Sequence, residues 1–155
     1  NVEMHMEPCD AAVMISQVVG EYQDKLQAQD IEIVVNEAKN PANIMADGRH
    51  LWRVFDNIMS NICKYTQDHT RVYVNVEDAG DQVRMIFKNI SKYPLNISSD
   101  ELMERFVRGD ASRNTEGHGL GLSIASSLTA LMDGQLTIDI DGDLFKITVA
   151  MKKQA

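Results

Sequence analysis

Two asparagines and a lysine share one face of a helix that the sequence predicts over residues 47 to 66. Asn57, Asn61 and Lys64 are spaced four and three residues apart, which stacks them on a helix surface. At about 100° per residue, this polar stripe lies beside the apolar stripe, at the boundary between core and cleft. Asparagine is a middling helix former, so the pair is either a solvated face or the lining of a site. An amide oxygen can ligate a hard cation such as Mg²⁺, which shares its coordination with water and phosphate oxygens.

A second group of residues suits a phosphate. In "EGHGLGLSIA" the glycines Gly117, Gly119 and Gly121 lead into a helical pattern. Such a turn presents unpaired backbone N–H groups and the positive end of the helix dipole, and missing side chains let an anion approach. The spacing fits neither usual phosphate loop, because no Lys-Ser/Thr follows and no strand immediately precedes it. Alone, the pattern indicates either a tight turn or a phosphate site.

Three arginines lie between these two groups, in "ERFVRGDASR". Arg105, Arg108 and Arg113 could neutralise a polyphosphate, or they could be exposed charges on a lid. The formal net charge of -8 argues against nucleic acid as the main partner, because a phosphate backbone is normally bound by a basic surface. It allows a small polyanion bound by a few local cations.

The elements that position these residues follow from periodicity. Asp10 and Asp47 each precede an apolar stripe with helical spacing and are the expected N-caps. Residues 89–116 form an irregular segment that contains a short helix at about 99–107, and Gly134 is expected as the C-cap of the glycine-led helix. The expected strands are 31–36, 44–46, 71–78, 82–88, 135–140 and 144–151. Helices over a mixed sheet make an α+β domain of two layers, and 155 residues suit a single domain, 1–155.

Cysteine usage and hydropathy predict the compartment. Cys9 and Cys63 are no disulfide framework, which favours a reducing environment. The four histidines have no metal-ligand spacing. No apolar run approaches the roughly 20 residues of a membrane span, and no signal peptide opens the chain. We therefore expect a cytoplasmic domain without direct membrane insertion, cut from something longer.

Taken in order, "DNIMSNICKYT", "FKN", "ERFVRGDASR" and "GHGLGLSIA" resemble the catalytic ATP-binding domain of bacterial sensor histidine kinases. That domain belongs to the GHKL superfamily, and the resemblance covers about residues 8 to 153. The N-box, F-box and G2-box matches are highly specific together, although each alone would be weak. The resemblance implies a Bergerat-type fold, a two-layer α/β sandwich whose mixed sheet is covered on one face by about three helices.

The same resemblance implies a role for each matching residue. Asn61 would hold Mg²⁺ on the triphosphate of ATP, as the metal ligand, with Asn57 supporting it. Either Arg105 or Arg108 would reach the terminal phosphate from the lid, so the implied catalytic residues are these two asparagines and two arginines. The implied nucleotide-binding set is Asn57, Asn61, Lys64, Tyr65, Asn89, Ser91, Phe106, Arg108, Gly117, His118, Gly119, Leu120, Gly121 and Leu122.

The chain departs from the family in the G1 box, Asp-x-Gly-x-Gly, whose Asp accepts a hydrogen bond from the adenine amino group. Asn89 stands at the Asp position, and Ser91 and Tyr93 stand at the glycine positions. Asn89 keeps an acceptor oxygen but loses the strength of a charged one, and Ser and Tyr restrict a backbone that Gly leaves free. His118 stands where a small residue is commoner, and Leu144 where the family often has Thr. These departures bear on adenine affinity and selectivity.

The resemblance implies a domain that binds Mg-ATP and donates the γ-phosphate to a histidine on a separate dimerisation domain of the same kinase. The response regulator would be a partner of the full-length, membrane-anchored protein. One alternative is a degenerate module that has lost nucleotide binding and acts through protein contacts, which the altered G1 box keeps open. Conformational ATPases and serine-directed kinases of the superfamily are disfavoured. They tend to carry a glutamate base where this chain has Asn57, and an amide cannot serve as a base.

Overall fold

The structure is a computed structural model that describes residues 3–39, 42–95 and 120–154, with backbone alone at 120 and 121. The expected helix at 99–107 and most of the irregular segment lie outside the described residues. The described elements, in chain order, are β1 (Glu7–Asp10), α1 (Ala11–Ala28), β2 (Glu32–Asn36), β3 (Asn43–Ala46), α2 (Gly48–Tyr65), β4 (Arg71–Asp78), β5 (Gln82–Ile90), α3 (Leu120–Leu131), β6 (Gln135–Asp141) and β7 (Leu144–Lys152).

Five of the strands form one mixed sheet in the order β2-β4-β5-β7-β6. The β2–β4 pair is parallel and the other pairs are antiparallel. Along β4, Val72, Val74 and Val76 are buried while Tyr73 is exposed, so one face of the sheet carries the core. Helix α2 packs against both α1 and α3. The predicted α+β fold, with helices over a mixed sheet, is confirmed.

Strand β1 has no counterpart in the sequence-based expectation. It pairs antiparallel with β3, with Pro8 opposite Met45 and Cys9 opposite Ile44. Four residues that include a proline carry too little alternation to indicate a strand, although proline is tolerated at a sheet edge such as this one. The small sheet ends where α1 begins, and Asp10 caps that helix by accepting from the N–H groups of Ala12 and Val13.

The end of α3 differs from the expected glycine C-cap. Asp133, not Gly134, takes the left-handed conformation, with φ of 63°. The N–H of Gly134 donates to the oxygen of Thr129 at 2.9 Å, and that of Asp133 donates to Ala130 at 3.0 Å. These two bonds are a Schellman ending in which Asp133 is the left-handed residue. Gly134 is required for another reason, since a Cβ there would lie 2.8 Å from the oxygen of Ala150.

Asp47 fixes the start of α2, the helix that carries the two asparagines. Its carboxylate is buried and accepts from the N–H of His5 at 2.8 Å, of Arg49 at 3.1 Å and of His50 at 3.3 Å. The bond from His5, more than the other two, holds the pKa of Asp47 below its usual range.

Asp47→Ala is expected to destabilise the fold by about 1–2 kcal/mol, the cost of losing an N-cap, whereas Asp47→Asn keeps an acceptor and costs less. A carboxylate with a lowered pKa stabilises the folded state above its unfolded pKa, and this contribution is lost as pH falls through the folded value. Urea unfolding of all three proteins at neutral pH and at about pH 3 measures both effects. Equal stability of the wild type and Asp47→Ala at neutral pH would contradict this role.

Candidate functional site

The polar stripe of α2 lies where the sequence predicts it. Val54, Phe55 and Ile58 are among the fully buried residues of the helix. Asn57 and Asn61 are half-buried at the edge of this apolar face, and Lys64, one turn further along, is exposed. The stripe therefore runs from the core boundary out to solvent.

Asn57 carries an unsatisfied donor. Its side-chain nitrogen Nδ2 is buried, and among the described residues it has no hydrogen-bond partner. An unpaired buried polar group of this kind costs about 1–3 kcal/mol. A ligand that brings an acceptor oxygen to Asn57 would remove that cost, so the polar stripe has the chemistry of a site for an oxygen-rich ligand.

Helix α1 holds α2 at the level of this donor. The hydroxyl of Tyr22 donates to the Asp56 carboxylate, at 2.5 Å from Oδ1. Burial, together with this hydrogen bond, raises the pKa of Tyr22, so the hydroxyl keeps its proton. Because Asp56 immediately precedes Asn57, the contact restrains rotation of α2 at the residue that carries the unpaired donor.

The C-terminal end of α2 is joined to β5 by two buried side chains. The hydroxyl of Thr66 donates to the backbone oxygen of Ile62 at 2.6 Å. Nδ2 of Asn89 in turn donates to that hydroxyl oxygen, Oγ1, at 3.0 Å. Thr66 is 0% and Asn89 4% exposed. Asn89, the residue expected to contact adenine, thus lies against the C-terminal end of α2.

Ser91 and Tyr93, which stand at the two glycine positions of the G1 box, lie in an ordinary turn. The hydroxyl of Ser91 donates to the backbone oxygen of Tyr93 at 2.7 Å and accepts from the backbone N–H of Tyr93 at 3.1 Å. The backbone N–H of Ser91 donates to the backbone oxygen of Asp143 at 2.8 Å, and the backbone N–H of Lys92 donates to the backbone oxygen of Tyr65 at 2.9 Å. Neither Ser91 nor Tyr93 has a positive φ. The backbone here does not require glycine, so these two substitutions introduce no strain.

The glycine-led helix is described from its first turn. Leu120 and Gly121 open α3, and Leu122 is buried in the core at 1% exposure, which anchors the start of the helix. The remaining expected residues lie outside the described residues: Arg105, Phe106, Arg108, Gly117, His118 and Gly119. The described part of the site thus consists of the α2 stripe, the Thr66–Asn89 pair and the start of α3.

Thr66 is the functional candidate that sequence reasoning missed. It lies one residue beyond the helix and 23 residues before Asn89, and a lone threonine at a helix end indicates nothing by itself. The turn that brings β5 back beside the end of α2 creates the contact. An isolated bridge between Thr66 and Ser91 marks the same return.

An open cavity of about 480 Å³ lies elsewhere on the surface, lined by residues that include Asp30, His69 and Arg71. Nδ1 of His69 lies 2.8 Å from Oδ2 of Asp30, and both residues have positive φ, 64° and 56°. The contact joins the turn after α1 to the turn after α2. The hydrogen bond with Asp30 raises the pKa of His69.

Asp30→Asn is expected to lower the pKa of His69 towards its ordinary value, because it removes the carboxylate that favours the charged ring. In the wild type, a raised folded pKa stabilises the protein below the unfolded pKa, and the contribution is lost as pH rises through the folded value. Titration of the His69 ring protons by NMR in both proteins measures this shift. An identical titration curve for the two proteins would contradict the contact.

Comparison with known families matches residues 46–154 to the histidine kinase-, DNA gyrase B- and HSP90-like ATPases. The chain belongs to this ATPase family. Within it, the chain is a histidine-kinase catalytic ATP-binding domain of the type found in two-component sensor kinases. The resemblance drawn from the sequence boxes is thereby confirmed.

Two curated relatives illustrate the match. The chain is 35% identical over 112 residues to the probable sensor protein PcoS of Escherichia coli, which covers 70% of this chain and 24% of that protein. It is 30% identical over 129 residues to the sensor protein VanS of Enterococcus faecium, covering 82% of this chain and 33% of that protein. The chain therefore spans about a quarter to a third of the length of these relatives.

Solved structures share the fold. The nucleotide-free catalytic domain of the histidine kinase ThkA superposes with a TM-score of 0.84 at 20% identity, covering 97% of each chain. The mycobacterial sensor histidine kinase MprB superposes with a TM-score of 0.77 at 21% identity, covering 96% of this chain and 97% of that one. In the described part of our chain, no helix is long and apolar enough to cross a bilayer.

Proposed function

We propose that the chain binds ATP together with Mg²⁺ between the polar stripe of α2 and the start of α3, and donates the γ-phosphate to a histidine on a separate domain. The observation that carries this proposal is the buried Nδ2 of Asn57, which has no hydrogen-bond partner among the described residues. A phosphate oxygen or a metal-bound water would accept from it. A similar fold, full-length ShkA, was solved in complex with AMPPNP, which is consistent with a nucleotide at this fold's site.

The donors of the stripe fit Mg²⁺. Asn61 lies one helical turn beyond Asn57 on the same face, and amide oxygens are hard ligands that Mg²⁺ accepts beside water and phosphate. Asn61 would contribute its oxygen to the metal, while Asn57 donates to the surrounding oxygens. When bound, Mg²⁺ would neutralise charge on the phosphates during transfer.

The remaining residues position the nucleotide. Lys64 is exposed at the outer end of the stripe, where its flexible ammonium can reach the phosphates. The amide oxygen of Asn89 accepts from the adenine amino group, with Tyr65 beside the nucleotide. From the sequence match alone, Arg105 or Arg108 reaches the terminal phosphate. Catalysis in this proposal is positioning and charge neutralisation, which dominate phosphoryl transfer.

The phosphate acceptor is the other half of the proposal. None of the four histidines of the chain has the acceptor's usual context, a His followed by an acidic residue on a long helix. The chain therefore acts as one domain that supplies the nucleotide, and a dimerisation domain of the same kinase supplies the histidine. The response regulator receives the phosphate from the full-length protein, which is anchored to a membrane.

Calorimetric titration with a non-hydrolysable ATP analogue, with and without Mg²⁺ and with a GTP analogue alongside, tests the nucleotide site. We expect binding that requires Mg²⁺ and prefers adenine. The unpaired amide of Asn57 and the neighbouring Asn61 are the reasons to expect the Mg²⁺ requirement, and the acceptor oxygen of Asn89 is the reason to expect the preference for adenine. No binding at millimolar nucleotide would contradict the proposal and would favour a degenerate module that acts through protein contacts.

A further inference from the structure

The hydrogen bonds around Thr66 determine which end of the Asn89 amide faces the purine. A hydroxyl has a single hydrogen, and that of Thr66 is donated to the oxygen of Ile62 at 2.6 Å. A backbone carbonyl has no hydrogen to give, so the direction of this bond is fixed. Towards Asn89, the oxygen of Thr66 therefore offers lone pairs only.

This direction fixes the Asn89 side chain. Only the NH₂ group of Asn89 can bond to a lone pair, and its nitrogen lies 3.0 Å from Oγ1 of Thr66. Both residues are buried, where an amide turned the other way would place two acceptors against each other and leave its donors unpaired. The carbonyl oxygen of Asn89 is left as an acceptor, and among the described residues nothing is seen to donate to it.

We infer that Thr66 is a positioning residue that makes the domain selective for adenine over guanine by holding the Asn89 amide with its oxygen towards the purine. This inference rests on the proposed ATP site. Adenine carries an amino group, a donor, at ring position 6, and guanine carries an oxygen, an acceptor, at the same position. An oxygen facing that position accepts from adenine and repels guanine, whereas a rotated amide would donate to guanine.

An asparagine needs this support and an aspartate would not. A carboxylate presents acceptors in either orientation, so rotation about its last bond changes nothing. An amide changes from acceptor to donor when it rotates by half a turn. The replacement of Asp by Asn at position 89 is therefore compatible with adenine selectivity only while the neighbouring hydroxyl keeps its direction.

Thr66→Val tests the inference, because valine has nearly the shape of threonine but no oxygen. We expect the ratio of ATP to GTP affinity, measured by calorimetry with non-hydrolysable analogues and Mg²⁺, to fall by about tenfold or more, as for one misdirected hydrogen bond. Thr66→Ser keeps the hydroxyl and should retain the wild-type ratio. A purely structural role would instead weaken both nucleotides equally in Thr66→Val, and that result would overturn the inference.

A double-mutant cycle isolates the coupling. Asn89→Asp has no donor to misdirect, so adding Thr66→Val to it should leave the ratio unchanged. Should the ratio fall as far in this background as in the wild type, the effect of Thr66 does not pass through Asn89 and the inference fails. If the wild type binds ATP and Thr66→Val leaves the ratio of ATP to GTP affinity unchanged, the inference is contradicted but the proposed function is not. Wild type that binds no nucleotide contradicts the proposed function as well.

A measurement on the unaltered chain covers the case in which Thr66→Val does not fold. Purine riboside triphosphate has only a hydrogen at ring position 6, and inosine triphosphate has an oxygen there. An Asn89 oxygen facing this position predicts tightest binding for ATP, then purine riboside triphosphate, then inosine triphosphate. Tighter binding of inosine than of purine riboside triphosphate would mean that the NH₂ group faces the ligand, and would overturn the inference.

Discussion

Asn61→Ala is expected to remove the Mg²⁺ dependence of ATP binding and to weaken binding in the presence of Mg²⁺ by about a hundredfold, the effect of losing a charge-assisted contact of roughly 3 kcal/mol. Asn61 is half-buried one turn from the unpaired amide of Asn57, and in the proposed site its oxygen would share a metal with the phosphates. Alanine is a better helix former than asparagine, and α2 should remain intact. Calorimetry with and without Mg²⁺ measures the change.

Asn75→Ala is the matched control for this variant. Asn75 lies on β4, and its oxygen accepts from Nδ2 of Asn36 at 2.8 Å on the exposed part of the sheet. Asn75→Ala removes the same chemical group at a position outside the proposed site, so its affinity for ATP should match that of the wild type. Mg²⁺-dependent binding by Asn61→Ala at wild-type affinity would contradict the assignment of Asn61 to the metal.

Gly134→Ala is expected to destabilise the fold by about 1–3 kcal/mol, the usual cost of overpacking a filled site. A Cβ at this position would lie 2.3 Å from Sδ of Met151, 2.8 Å from the backbone oxygen of Ala150 and 3.0 Å from Cγ2 of Thr129. Met151 can move its sulfur, but the backbone oxygen of Ala150 belongs to β7, which is paired with both β5 and β6, and it cannot yield without shifting that strand. Urea unfolding at equilibrium measures the loss.

Gly20→Ala provides the opposite expectation with the same chemical change. Gly20 lies within α1, and a Cβ there would meet nothing within 4 Å. Alanine should stabilise the helix by about 0.5–1 kcal/mol. Equal stability of Gly134→Ala and the wild type would contradict the close contact between Gly134, which follows α3, and strand β7.

Much of the fold could be predicted because its elements carry strong patterns. The apolar stripe of α2 and the alternation of Val72, Val74 and Val76 specify a helix and a half-buried strand without reference to the rest of the chain. Strand β1 could not be predicted, because its four residues pair only once β3 is present. The left-handed Asp133 was unexpected for a similar reason. Glycine is favoured at such a position, and here the tight contact of Gly134 with β7 requires the glycine one residue later.

The candidate site divides in the same way. Asn57 and Asn61 are recognisable because helical spacing places them on one face, and the glycine segment because its composition is unusual. The contact of Thr66 with Asn89 depends on the end of β5 returning beside the end of α2, which no local pattern records. The orientation of the Asn89 amide depends in addition on where a single hydroxyl hydrogen is donated.

The side-chain amide signals of the asparagines report where on the chain the nucleotide binds. We would record proton–nitrogen NMR spectra of the chain before and after adding Mg²⁺ and a non-hydrolysable ATP analogue. We expect the NH₂ signals of Asn57, Asn61 and Asn89 to shift while those of Asn36 and Asn75 stay in place. Unchanged signals for Asn57 and Asn61, with shifts centred on the surface around His69, would contradict the proposed location of the nucleotide.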